Sequence, residues 1–299
     1  KYIPTIDNLI IFMPKYHLAI CVNIEIIVMN IKPIITTLSM ITLMITMPTL
    51  ANTISTHGFD DDDLPACAAT PLPEDAKFAI IGSDCGYAEG LAPIIKDDHY
   101  GYVNTVGELV IPAVYQAAYP FSDGLALYRE NDHYGYLDTS GQSVIAPQYT
   151  KAWEFSEGRA KIEQNGKYGF IDTTGKIVIH PNYEVIGDWF EEGLVLFKQK
   201  DKYGFLDKSG NIAIRPQFDS AKGFSEGLAA VTMKTDKVDE HGRSPHKYGF
   251  IDRTGKVVID IKYDLAYDFL SGATYVVDGD NAYYIDKSGN PTAMPNYFE

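Results

Sequence analysis

The sequence is short of cysteine, tryptophan and positive charge. Its 299 residues hold three Cys, two Trp and 25 Lys or Arg against 40 Asp or Glu, giving a formal net charge of −15. Three cysteines cannot build the dense disulfide framework on which small secreted scaffolds rely. An acidic chain lacks the basic surface that nucleic acid or an anionic membrane would demand of its main partner. The one long apolar stretch, Ile34–Met47, is shorter than the ~20 residues a helix needs to span a bilayer. There is no Gly-x-Ser-x-Gly elbow, no phosphate-binding glycine loop and no zinc-ligand spacing. The hydrophobic fraction of 45% excludes wholesale disorder. Against this background one residue is abundant: 21 positions are tyrosine.

The first 51 residues differ from the rest. From Met29 the chain reads as a secretory signal: Lys32 supplies a short basic segment, Ile34–Met47 the apolar stretch, and Thr49-Leu50-Ala51 the small residues of a cleavage site. Residues 29–51 are therefore expected to be a signal peptide, cleaved after Ala51, and residues 1–28 an upstream extension outside the native protein. The part after Ala51 carries a net charge of −16. Residues 52–76, with the acidic run Asp60–Asp63 and then Pro65, Pro71 and Pro73, read as a linker. Export leaves Cys67 and Cys85 in an oxidising compartment, where one disulfide between them is expected. In the chain-entropy picture it would stabilise by about 3 kcal/mol.

Residues 77–299 are one motif repeated. A strand ending in Asp or Asn and a turn ending in Gly recur at 104–107, 138–141, 172–175, 207–210, 252–255 and 286–289. A second landmark, an acidic or small residue before Gly, recurs at Glu89, Asp123, Glu157, Glu192, Glu226 and Ser271. Both keep a spacing of 34 or 35, apart from one interval of 45 that places an insertion between Gly227 and Tyr248.

The third unit shows the physics. Arg159–Ile162 is a short strand, and Asn165-Gly166 is a pair that tolerates positive φ in a tight hairpin. Tyr168–Asp172 is the second strand, and Asp172-Thr173-Thr174-Gly175 has the residues of a type I turn. Ile177–Ile179 is the third strand, and Pro181, lacking an N–H, is expected to end its pairing. Each repeat is thus a three-stranded antiparallel meander with a connector. The tyrosines fall into register. Tyr100, Tyr134, Tyr168, Tyr203 and Tyr248 open the middle strand, and Tyr102, Tyr136, Phe170, Phe205 and Phe250 hold its third position. A glycine always stands between them, which permits close approach of a backbone or a covering ring. Connector rings recur at Tyr87, Phe121, Phe155, Phe190, Phe224 and Phe269. A lone unit cannot bury such rings, so they are expected to pack between units.

The consensus Tyr-Gly-Phe-Ile-Asp-x-x-Gly-x-Val-Val-Ile-x-Pro-x-Tyr-Asp, with Phe-Ser-Glu-Gly-Leu-Ala, resembles the bacterial WG (KWG) repeat family, with Tyr-Gly where that family usually has Trp-Gly. The resemblance covers residues 77–299. It implies an all-β scaffold without shared catalytic chemistry. Six units of ~34 residues are expected to form an open, solenoid-like ribbon, since propeller blades run longer, about 40–50 residues; closure into a propeller-like ring is the alternative.

Chemistry is sparse. Asp138, Asp172, Asp207, Asp252 and Asp286 fit the first position of a turn, where a carboxylate caps its own backbone. The insertion carries Asp236, Asp239, Glu240, His241 and His246, read as a solvated hairpin extension rather than a metal site. No catalytic residue, cofactor or metal is expected. The expected function is an exported, periplasmic or cell-surface scaffold, not membrane-spanning in its mature form, that binds a protein, peptide or envelope glycan. A glycan hydrolase using an unrecognised carboxylate pair and a purely structural spacer are the competing readings.

Overall fold

A computed structural model describes residues 9–13, 18–22, 70–80, 84–235 and 244–295. The signal segment, Cys67 and most of the insertion lie outside them. Two compact units divide the chain, residues 1–65 and 66–299. In the first, β1 (Leu9–Met13) and β2 (Leu18–Val22) form an antiparallel hairpin with Leu9 opposite Val22.

The second unit is all β among its described residues, six antiparallel sheets in tandem, none closed into a barrel. The first holds β3 (Lys77–Phe78), β4 (Leu91–Lys96), β5 (His99–Asn104) and β6 (Leu109–Tyr115). The second holds β7 (Ala117–Ser122), β8 (Leu125–Glu130), β9 (His133–Asp138) and β10 (Ser143–Tyr149). The third has β11 (Ala160–Gln164), β12 (Lys167–Ile171) and β13 (Ile177–Tyr183), and the fourth β14 (Leu194–Gln199), β15 (Lys202–Asp207) and β16 (Ile212–Phe218). The fifth has β17 (Ser220–Ser225), β18 (Leu228–Lys234), β19 (His246–Asp252) and β20 (Val257–Tyr263). The sixth has β21 (Leu265–Ala266), β22 (Ala273–Asp278), β23 (Asn281–Asp286) and β24 (Pro291–Thr292). Each is a meander, with strands in sequence order across the sheet. In four sheets the connector supplies a fourth strand. In the third and fourth it pairs through isolated bridges, Ala152 with Ile162 and Ser156 with Arg159, and Ile186 with Phe197 and Glu191 with Leu194.

Local chemistry sets the turns. Glu157 and Gly158 have φ of 54° and 76°, and Ser156 and Arg159 exchange both N–H···O bonds across them, a type I′ hairpin. The expectation that Pro ends the third strand needs correction. β13 runs through Pro181 to Tyr183, which pairs with Tyr168. Between the pairs Phe170–Ile179 and Tyr168–Tyr183, the three residues His180, Pro181 and Asn182 face Gly169 alone, so the strand bulges over Gly169. A Cβ on Gly169 would lie 2.3 Å from the Ile179 carbonyl oxygen and 2.6 Å from the Pro181 nitrogen. The proline nitrogen thus faces a bare α-carbon rather than a ladder carbonyl, and its missing hydrogen costs no bond. The glycine answers to a backbone, not to a covering ring, and the same approach recurs at Gly101, Gly135, Gly204 and Gly249.

The core lies between sheets rather than within them. Leu127, Tyr136 and Ile145 of the second sheet share one cluster with Phe155, Ile162 and Ile171 around the third. Middle-strand rings meet the next unit's connector rings edge-on: Tyr136 and Phe155 at 4.8 Å, Phe170 and Phe190 at 5.0 Å, Phe250 and Phe269 at 4.9 Å. Packing of this kind makes each repeat depend on its neighbours. At the N-terminal side, Leu72 and Ala76, from the stretch read as linker, pack with Phe78 and Tyr87 on Ala92, Ile94 and Val103.

Candidate functional site

The periodic acids are occupied. Asp172 Oδ1 accepts N–H bonds from Thr174 at 3.0 Å and Lys176 at 3.1 Å, closing its turn. Asp138, Asp207, Asp252 and Asp286 do the same for the residues two and four positions on. The Thr174 and Thr254 hydroxyls hold the carboxyls of Asp172 and Asp252 below the usual range, as the Ser140 hydroxyl does for Asp138. These groups are caps, spread along the array and not brought together.

The second acidic landmark has a role its pattern did not disclose. Each carboxylate accepts the amide of the glycine one unit later: Glu89 from Gly124 at 2.9 Å, Asp123 from Gly158 at 2.6 Å, Glu157 from Gly193 at 2.9 Å. Glu192 takes Gly227 and Glu226 takes Gly272. The period itself was the available signal. Lys208 adds an ion pair to Glu157 at 3.0 Å and Lys287 one to Glu226 at 3.1 Å.

The tyrosine register also serves the fold. Tyr102 and Tyr136 are fully buried, and their hydroxyls donate to the carbonyls of Tyr119 and Trp153 at 2.8 and 2.7 Å. Burial pushes both phenols well above the ordinary tyrosine range. Tyr100, Tyr134, Tyr168, Tyr203 and Tyr248 are half-buried at the strand starts.

Two places break the periodic chemistry. Lys161 stands where the other units carry Pro93, Leu127, Leu196, Ala230 and Tyr275, and its side chain is 6% exposed. Its ammonium donates to the Ile186 carbonyl at 3.0 Å and to Asp188 Oδ1 at 2.7 Å, and lies 4.7 and 4.2 Å from the Trp153 and Tyr168 ring centres. So partnered, it clips the fourth unit's connector to the third sheet. The second departure is a row of tyrosines on the sixth sheet. Tyr267 and Tyr275 lie 6.1 Å apart and Tyr275 and Tyr284 5.4 Å. Tyr267 is 51% exposed, with the Lys222 ammonium 5.1 Å from its ring centre. A shallow polar depression is lined by Tyr183, Glu184 and Lys198.

Among the described residues no group of three or more His, Cys, Asp and Glu is placed to hold a metal, and no helix is long and apolar enough to cross a membrane. Asp236, Asp239, Glu240 and His241 lie outside those residues. Of the expected disulfide, Cys85 is buried and Cys67 is not described.

The WG-containing-repeat family model matches five consecutive segments, residues 100–132, 134–168, 168–203, 203–234 and 248–281. Each begins on the tyrosine of a Tyr-Gly pair. No curated protein matches the sequence. Among solved structures, the eukaryotic initiation factor is similar with a TM-score of 0.43 at 14% identity, over 64% of this chain and 59% of that one. PorZ, a surface component of the type-IX secretion system of Porphyromonas gingivalis, gives 0.31 at 11%, over 71% and 32%. The Pan2 WD40 domain of Neurospora crassa gives 0.31 at 13%, over 69% and 77%. The family segments cover more than half of the residues and keep the period of the structural repeats, each running from the middle strand of one sheet into the next, and the chain belongs to the WG-containing-repeat family.

Proposed function

We propose that this protein is an exported, non-catalytic repeat scaffold that binds a protein, peptide or cell-envelope glycan, with the tyrosine row of the sixth sheet as its contact surface. The observation that carries this reading is the contrast in how side chains are used. Periodic acids and rings are engaged in capping turns and joining units, whereas Tyr267, Tyr275 and Tyr284 form a row with its first ring exposed beside Lys222. Rings of this kind supply contact area at low entropic cost and stack on flat apolar faces of a ligand. Export rests on Lys32, the Ile34–Met47 stretch and Ala51, and pairing of Cys85 with Cys67 follows from it. The test applies the full chain to arrays of envelope glycans and extended peptides. Binding that falls at least tenfold in Tyr267→Ala supports the reading. Binding unchanged in that variant, or no ligand on either array, counts against it; turnover of an arrayed glycan replaces it with an enzyme.

A further inference from the structure

The ring at the third position of each middle strand faces the following unit. Tyr102, Tyr136, Phe170, Phe205 and Phe250 are fully buried there, each 4.8 to 5.0 Å from the next unit's connector ring. Tyr284, two residues before Asp286, holds the same position in β23. It is only half-buried, and its described ring contact is to Tyr275 of its own sheet rather than to a connector. β22 and β23 pair without a register shift from Ala273 to Asp278, so alternation fixes their faces. Val276 and Ile285 turn inward to Phe250 and Phe269, and Tyr275 and Tyr284, each one residue earlier, turn the opposite way. The sixth sheet therefore repeats the face that the five earlier sheets bury against a neighbour, and no described residue covers it.

The inner seams show what such a face takes. Where the third-position ring is tyrosine, its hydroxyl donates to the carbonyl two residues before the connector ring. Tyr102 donates to Tyr119, ahead of Phe121, and Tyr136 to Trp153, ahead of Phe155. Tyr284 carries the same hydroxyl, and among the described residues nothing accepts its bond. Ser271 lacks the carboxylate that elsewhere holds the glycine of the next unit, so ring and hydroxyl are what this face retains. A second copy does not supply the missing ring from its first sheet, because Leu72, Ala76 and Phe78 already cover Ala92, Ile94 and Val103 there.

We infer that the Tyr275–Tyr284 face receives an extended segment of a partner protein built like a connector: an aromatic side chain packed edge-on against Tyr284, and a backbone carbonyl two residues before it that accepts the Tyr284 hydroxyl. This rests on the reading of the sixth-sheet row as the contact surface and commits that row to an aromatic-bearing peptide chain rather than a glycan. Ring packing and one hydrogen bond make a small contact, so binding belongs to the weak, transient class.

NMR titration of the full chain with a synthetic peptide of residues 149–158, Tyr-Thr-Lys-Ala-Trp-Glu-Phe-Ser-Glu-Gly, tests it. The peptide is expected to bind, and to bind about tenfold more weakly when its Phe155 is replaced by alanine. Tyr284→Phe, which removes only the hydroxyl, is expected to weaken binding about fivefold. Phe250 fills the same position in β19, so the thermal unfolding of that variant is expected to match the wild type. A peptide that does not bind overturns the inference, as does binding indifferent to either change. A glycan bound through Tyr267 on the array, with the peptide unbound, overturns it while leaving the scaffold reading in place. Peptide binding weakened in Tyr284→Phe but unchanged in Tyr267→Ala supports it and removes the exposed ring from the contact surface. Self-association of the chain that is lost in Tyr284→Phe makes the occupant a second copy and overturns it.

Discussion

The fifth and sixth middle strands differ at one informative point. β19 carries Gly249 after Tyr248, and the third strand returns across it, with the Ile259 carbonyl oxygen 2.7 Å from where a Cβ would be. β23 carries Tyr283 in the glycine's place. Its partner β24 is two residues long and pairs only at Tyr284 and Ile285, without the bulge that brings the other third strands over the glycine. Where the backbone crosses, the side chain is absent. Where a side chain stands, the described backbone does not cross. Glycine in the repeat is therefore a packing requirement between two strands rather than a feature of the turn. The acidic landmark shows a parallel change, since Ser271 has no carboxylate to hand on.

This contrast can be broken experimentally. Phe205→Ala removes a fully buried ring that packs edge-on at 4.9 Å against Phe224, and is expected to cost about 4 kcal/mol in urea denaturation. Tyr284→Ala, in the more open sixth sheet, should cost less than half as much. Gly169→Ala forces a methyl group against backbone on the crossing strand and is expected to lose about 3 kcal/mol. Tyr283→Ala should lose well under that, because no strand crosses there; equal losses would remove the backbone explanation. Glu192→Ala strips the acceptor from the Gly227 amide and is expected to cost about 1.5 kcal/mol, against no measurable change for Ser271→Ala.

Acidification gives the smallest and most distributed effect. The hydrogen bond from Lys202 lowers the Asp219 pKa, and that from Lys247 lowers the Asp264 pKa. A carboxyl whose folded pKa is depressed contributes stability that is present above its unfolded pKa, near ~3.9, and lost as pH falls through the folded one. The denaturation midpoint should therefore hold from neutral pH to about 5 and decline below about 4. In Asp219→Asn that decline should be shallower.

The repeat was legible because its two landmarks are local. Asp172 to Gly175 and Glu157-Gly158 each encode a turn by residue type alone, and their shared period set the number of units. The capping role of the five turn aspartates followed from the same chemistry. Pro181 misled because proline normally ends pairing, and its exemption depends on a bulge over Gly169 that exists only once two strands meet. The link from Glu157 to Gly193 joins groups 36 positions apart, and no local rule connects them. Lys161 stands within a stretch legible only as a short strand, and its partners, Asp188 and the Ile186 carbonyl, reach it from the following unit.

The sequence by itself determined the turns, the strand alternation and the period, because those depend on φ preferences and side-chain types within a few residues. Tertiary structure decided which atoms use that regularity: the backbone over each glycine, the carboxylate handed to the next unit and the ring stacked on its neighbour. Such contacts form between units, where geometry, not local preference, determines which groups meet.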